Sequence, residues 1–265
     1  MRAADSTTHP LAERLSGTTW TANTTIPEPA GGVRTVLNSV TCPTATTCIA
    51  VGGQQVSDGT PFTSVVETSS GATWELSLPP DAGELHGVSC GTATTCLAVG
   101  TTASDSLSGG TWNHPQIPNP DDGLSLFAYE VLAVSCTSAT VCTAVGDAYN
   151  SWDEFKHPEQ LAATLSGGTW TIVTGGGSGI SGTLAAVSCL GASPCVAVGS
   201  NLDGISPILA LQTSGGVTPI SIAPVTGAIG ATVSGVSCTS PSRCVAVGHA
   251  TLGNGSLVPL IFDLY

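Results

Sequence analysis

Ten cysteines fall into five pairs of one spacing: Cys42/Cys48, Cys90/Cys96, Cys136/Cys142, Cys189/Cys195 and Cys238/Cys244. Each pair is Cys-x5-Cys. The first members end the segments LNSVTC, LHGVSC, VLAVSC, LAAVSC and VSGVSC. The second members open CIAVG, CLAVG, CTAVG, CVAVG and CVAVG. The first cysteines stand 48, 46, 53 and 49 residues apart. A motif recurring at that period predicts a repeat array, a propeller or a solenoid, rather than a one-off globule.

The pairing itself reads as chemistry. Zinc sites bring two cysteines together at closer spacing and complete the set with a second pair or with histidines. Here no histidine recurs with the cysteines. An even count of local pairs in a Gly/Ser/Thr-rich chain points to disulfides and an oxidising compartment. Each short loop then constrains the unfolded chain by roughly 2–3 kcal/mol. The competing reading is ten reduced thiols in a cytosolic protein. The expectation is a secreted, extracellular protein. The opening residues MRAADSTTHP lack the apolar core of a signal peptide, so the expected chain is a mature segment whose export signal was removed.

Between cysteine pairs the segments are short, β-branched and punctuated by Gly, Pro and Ser, which is strand patterning. No stretch keeps a helical period over about ten residues. Each repeat carries an apolar run and then a turn before Trp: LSGTTW at 15–20, TSSGATW at 68–74, LSGGTW at 107–112 and LSGGTW at 165–170. A version without Trp, TSGGVT, follows at 213–218. Four strands per repeat result, here a to d. Strand a ends at the first Cys, b starts at the second, c is the apolar run and d begins near the Trp.

The fold class predicted is all-β: a five-bladed β-propeller of four-stranded antiparallel blades with one disulfide per blade. Residues 1–9 are expected to be a flexible tail and 10–265 a single propeller domain. The strand around Trp20 should complete the last blade beside the C-terminal run 257–265, closing the ring and removing exposed edges. Three positions before each first Cys stand Ser39, Gly87, Ala133, Ala186 and Gly235, small residues suited to converging inner strands.

These motifs carry a resemblance. The SGGTW turns resemble the Asp-box turns of sialidase-like propellers, with the Asp absent from every copy. The Cys-x5-Cys-x-Ala-Val-Gly blades resemble secreted β-propeller repeats of actinobacterial type. Five blades of this length are similar to tachylectin-type lectins in architecture only. The resemblance implies a fold and leaves function open, because propellers host lectins, glycosidases, lyases and scaffolds.

Charge narrows the partners. Lys plus Arg number 5 against 18 Asp plus Glu, a formal charge of −13. A phosphate backbone or an anionic membrane surface would be repelled, so no nucleic acid is expected. There is no run of about 18 apolar residues, so no membrane span is expected.

Strand order places the Cys loops and the SGGTW turns at one end and the d–a and b–c loops at the other. Trp20, Trp74, Trp112 and Trp170 share a register and read as framework. Variable loops at the opposite end are where a site belongs. The third repeat departs most there. Its loops and flanks hold Tyr129, Glu130, Asp147, Tyr149, Trp152, Asp153, Glu154, Lys156 and His157. Aromatic faces beside carboxylates suit a pyranose, whose apolar face stacks while polar groups bind its hydroxyls. The plain alternative is a loop folded over its own aromatics.

Glu84 and Glu130 both stand six positions before a first Cys, His86 lies two further in, and Asp147 and His249 follow the blade Gly. Glu84, Glu130 and Asp147 are the candidate catalytic set if the chain is an enzyme. The same three would be the ligands if Ca²⁺ binds, and no other cofactor is expected. They also fit solvated loop acids. His86 and His249 are candidate ligand-binding residues, equally at home as hydrogen-bonded strand residues. A sialidase is disfavoured, because its substrate clamp needs three arginines and only Arg2, Arg14, Arg34 and Arg243 exist here. Three functions remain: a lectin-like binder of carbohydrate or glycoconjugate with its site near the third blade, a glycoside hydrolase or polysaccharide lyase, and a scaffold for a protein partner.

Overall fold

The computed structural model describes residues 8–23, 26–71, 73–79, 83–101, 103–113, 117, 126–150, 158–173, 181–191, 193–201, 207–213, 216–220, 225–240 and 243–264. The chain divides into two compact units, Met1–Gln116 and Ile117–Tyr265. Every regular element among the described residues is a β-strand, so no helix is long and apolar enough to cross a membrane.

The first unit opens with a hairpin of β1 (Ala12–Ser16) and β2 (Thr19–Asn23). Two antiparallel sheets follow. One is β3 (Arg34–Thr41), β4 (Thr47–Gln55), β5 (Thr63–Ser70) and β6 (Thr73–Ser77). The next is β7 (Leu85–Cys90), β8 (Thr95–Gly100), β9 (Ala103–Ser108) and β10 (Thr111–Asn113). Neighbours in sequence are neighbours in each sheet.

The second unit holds a sheet of β11 (Leu126–Ser138), β12 (Val141–Asn150), β13 (Pro158–Ser166) and β14 (Thr169–Ile172). Another comprises β15 (Gly182–Cys189), β16 (Cys195–Asn201), β17 (Pro207–Thr213) and β18 (Gly216–Ile220). The last has three strands, β19 (Ala228–Ser240), β20 (Arg243–Leu252) and β21 (Leu257–Leu264).

The repeat therefore maps onto a-b-c-d in four copies and a-b-c in the fifth. The Trp20 strand differs from expectation. It pairs with β1, Trp20 opposite Leu15, rather than completing the β19–β21 sheet. The reason is local: Ala12–Ser16 is itself a c-type strand, and Gly17, at φ 63°, closes the tight turn between them. The same register recurs at Trp74 opposite Ser69, Trp112 opposite Leu107 and Trp170 opposite Leu165. In the LSGGTW copies both turn glycines are left-handed, Gly167 at φ 58° and Gly168 at φ 86°. Two successive positive φ values give the turn whose twist matches a hairpin.

All five disulfides form, each between strands a and b of one repeat, with Cα atoms 3.9–4.3 Å apart. Backbone bonds tie the two loop types at one end, as strand order requires: Gly71 N donates to Thr46 O, and Gly167 N to Thr140 O.

The Ala-Val-Gly glycine has a steric cause. In every strand a the register slips four residues before the Cys, between Leu37/Ser39, Leu85/Gly87, Val131/Ala133, Leu184/Ala186 and Val233/Gly235. This is a β-bulge. Opposite it lie Gly52, Gly100, Gly146, Gly199 and Gly248. A Cβ on any of them would overlap the carbonyl oxygen of Val36, Glu84, Glu130, Thr183 or Thr232 respectively.

Successive sheets pack by one rule within each unit. Ile49, Val51 and Val66 meet Leu85, Val88, Cys96 and Ala98 of the next sheet. Val145 and Ala162 meet Leu184, Val187, Cys195 and Ala197. Val196 and Val198 meet Val233, Cys244 and Ala246. Burying each Val, Leu or Ile among them stabilises by about 1.5–3 kcal/mol. In the last sheet the matching positions, Val245 and Val247, are exposed (36% and 45%), and in the first sheet Val40 is 61% exposed.

Candidate functional site

The third repeat builds a polar row across its sheet. Glu130 on β11 lies opposite Asp147 on β12, and Asp147 lies opposite Gln160 on β13. Direct cross-strand partners share a face, with Cβ atoms about 4.5–5.5 Å apart. Tyr149, two residues beyond Asp147, shares that face by the strand period. Thr183 arrives from β15 of the next sheet, and its hydroxyl donates to Asp147 Oδ2 at 2.7 Å.

Asp147 is only 4% exposed. Burial pushes its carboxyl above the ordinary range, the Thr183 hydrogen bond pulls it back, and the Glu130 charge raises it again. Burial, then the charges of Asp147 and Glu130, raise the Tyr149 phenol, which places that phenol in the field of both acids. Two buried polar atoms of the row lack partners among the described residues: the acceptor Asp147 Oδ1 and the donor Gln160 Nε2. Buried polar groups left unpaired cost free energy, so an orphan acceptor beside an orphan donor defines a place for a group that both donates and accepts.

Other candidates fall elsewhere. Tyr129 precedes Glu130 and so faces the opposite side of the sheet, where burial raises its pKa and its hydroxyl donates to Ile117 O at 3.1 Å. His249 is exposed on β20, opposite Thr232 and Pro259. Glu84 and His86 belong to the first unit. Glu84 Oε1 accepts from Asn38 Nδ2 at 3.0 Å, and His86 Nε2 lies 3.2 Å from Thr101 Oγ1. Trp152, Asp153, Glu154, Lys156 and His157 lie outside the described residues. Among the described residues no group of three His, Cys, Asp or Glu gathers to hold a metal ion.

Gln160 and Thr183 do not stand out in the sequence as site residues. Thr183 had a signal, because it holds the Glu130 position of the following repeat. Glu67 is a further surprise. It is 1% exposed on β5, opposite the motif residue Ala50, and neither carboxylate oxygen has a partner among the described residues. Burial, then the charge of Glu28, pushes it up to about 7. Glu28 itself accepts from His9 Nδ1 at 2.8 Å. Asp105 holds the same place in the next repeat, opposite Ala98, and is fully buried. The first unit also has a groove of about 800 Å³ between its N-terminal hairpin and the β3–β4 face, lined by Leu15, Trp20, Leu37 and Val40.

No family model matches the chain, and no curated protein does. Among solved structures it is similar to a GH74 xyloglucanase from Xanthomonas campestris, with a TM-score of 0.51 and 14% identity over 84% of this chain. The chain spans 38% of that enzyme's length. Ycf48 from Cyanidioschyzon merolae gives a TM-score of 0.47 at 13% identity, over 89% of this chain and 87% of that one. A neuraminidase-like protein from A/bat/Guatemala gives 0.42 at 11%, over 86% and 74%. The first likeness shows a fold: an all-β protein of β-propeller type, a fold shared with a glycoside hydrolase. Its five disulfides fit an oxidising compartment.

Proposed function

We propose that the chain is a secreted carbohydrate-binding propeller whose site is the row Glu130, Asp147, Gln160 and Tyr149. The observation that carries this reading is the orphan pair, Asp147 Oδ1 and Gln160 Nε2. A sugar hydroxyl donates to the first and accepts from the second, which neither a bare cation nor a carboxylate can do. Trp152 and His157 follow β12 in the sequence, and an aromatic and a polar residue type there accord with the same reading. The test is a glycan array on the oxidised protein, with Ca²⁺ and then with EDTA. Specific hits that vanish in both Asp147→Asn and Gln160→Leu support the site. A blank array overturns it, and signal lost only in EDTA assigns the carboxylates to a metal.

One observation favours an enzyme as the second reading. Glu130 and Asp147 are cross-strand neighbours, and Asp147 is raised toward its acid form. Carboxyls on directly paired strand positions suit general acid–base work at a glycosidic bond. Release of reducing ends from polysaccharides, lost in Asp147→Asn, would select this reading.

We further propose that the five repeats are the blades of one closed ring. Wherever successive sheets pack within a unit, residues one and three after the second Cys carry the contact. Val245 and Val247 are those residues in the last sheet, and closure would cover them. Val247→Asp then costs about 2–3 kcal/mol, whereas on an open face the change stays within about 0.5 kcal/mol.

A further inference from the structure

In every repeat the residue after the motif glycine meets the residue six positions before the first Cys. In the third repeat these are Asp147 and Glu130, two acids in direct opposition. Elsewhere the pair is Val36 with Gly53, Glu84 with Thr101, Thr183 with Ser200 and Thr232 with His249. The other four repeats form their sheets without a second acid there, so the fold does not require one. Like charges directly opposite one another destabilise a sheet. Asp147 is also only 4% exposed, and a carboxylate at that depth costs free energy unless it is paired.

Among the described residues neither this sheet nor β15 carries a Lys, Arg or His to offset the charge. Thr183 donates to Asp147 Oδ2 at 2.7 Å, which leaves Oδ1 as a buried acceptor with no hydrogen bond. Across the strand pair, Gln160 Nε2 is a buried donor with no hydrogen bond. Glu130 and Gln160 are each partly exposed, so both ends of the row touch solvent. A hydroxyl at Oδ1 brings one proton and no charge. An ammonium brings three N–H donors and a positive charge, and its hydrogen bond to a carboxylate is roughly twice as strong as a neutral one. It has no lone pair for Gln160 Nε2, so that donor calls for a hydroxyl on the neighbouring carbon.

We infer that the third-repeat site selects amino sugars, units that carry a free ammonium beside a hydroxyl. The ammonium donates to Asp147 Oδ1 and offsets the opposed acids, and the hydroxyl accepts from Gln160 Nε2. A uronic acid, whose carboxylate meets two others, is turned away. This inference rests on the carbohydrate reading of the third repeat and narrows its ligand class.

The test is an amide NMR titration of the intact oxidised protein with four methyl glycosides: glucoside, glucosaminide, N-acetylglucosaminide and glucuronide. The expected result is saturable shifts around Asp147, Gln160 and Thr183, with the glucosaminide binding about tenfold tighter than the glucoside. The N-acetylglucosaminide, which keeps the nitrogen and loses the charge, falls to the glucoside level, and the glucuronide gives none. Asp147→Asn removes the preference. The ranking of the four sugars on the parent protein decides the matter even if that variant fails to fold. A glucosaminide no tighter than the glucoside overturns the amino-sugar class and leaves the carbohydrate reading standing. Glucosaminide shifts scattered over the acidic surface and unchanged in Asp147→Asn overturn it as well. Shifts at the row with none of the four sugars overturn both.

Discussion

Thr183 and Asp147 come from different sheets, yet the Thr183 hydroxyl sits 2.7 Å from Asp147 Oδ2. The bond holds a carboxylate that burial and Glu130 both disfavour. Thr183→Val removes the donor and leaves an acceptor buried. The expected loss is about 1.5–3 kcal/mol at neutral pH by urea unfolding. Thr183→Ser should restore most of it. Equal stability of the Val variant and the parent would show that the bond carries nothing.

Glu67 gives the molecule a pH signature. Its carboxyl is raised from 4.5 to about 7, so the folded state holds a proton that the unfolded chain releases earlier. The stabilising effect of that proton is complete below about pH 4.5. It fades as pH rises and is gone above about 7, a swing of about 3 kcal/mol. Glu67→Gln should be more stable than the parent at pH 8 and flatten this part of the profile. Parallel unfolding curves for the two proteins at pH 5 and pH 8 would contradict the assignment.

The motif glycines and the turn glycines should differ in cost. Gly146→Ala drives a Cβ into Glu130 O beside the bulge, and roughly 3 kcal/mol or more should be lost. At Gly167 an added Cβ meets nothing within 4 Å, so only the left-handed backbone at φ 58° is penalised, by about 1–2 kcal/mol. Thermal unfolding of the two variants side by side reads the difference.

Removing one disulfide, as in Cys136→Ser with Cys142→Ser, should cost about 2 kcal/mol on the chain-entropy model. Non-reducing peptide mapping of the parent should return five local loops and no long-range link. A cross-repeat disulfide would contradict the pairing of strands a and b.

The repeat was legible because its markers are rigid: cysteines cannot drift in a cross-strand disulfide, and the glycine faces a carbonyl that admits no Cβ. The c–d turns were legible for a similar reason, since Gly167 and Gly168 must both adopt positive φ. The features that the sequence leaves unmarked have no fixed residue type. The bulge is occupied by Asn38, His86, Leu132, Ala185 and Ser234, five unrelated side chains. Strand β1 is unmarked because Ala12–Ser16 carries Glu13 and Arg14 in succession, which breaks the apolar run that signals a c strand. Nothing in the local sequence marks Glu67 and Asp105 as inward; only alignment with the apolar Ala163 and Ala210 of later repeats does so. Of the candidate site, Glu130, Asp147 and Tyr149 were visible as a local cluster. Gln160 and Thr183 were not, because strand register and sheet packing, not proximity in sequence, bring them in.

The disulfides also fix how far this chain can be stretched. Each joins cysteines six residues apart whose Cα atoms are about 4 Å from one another. A fully extended segment of that length would reach about 21 Å at roughly 3.5 Å per residue. Every bond therefore withholds about 17 Å of contour, or about 85 Å over the five. Under tension the oxidised protein yields a shorter tether than the reduced one, and each Cys-x5-Cys loop stays a closed knuckle after its sheet has come apart.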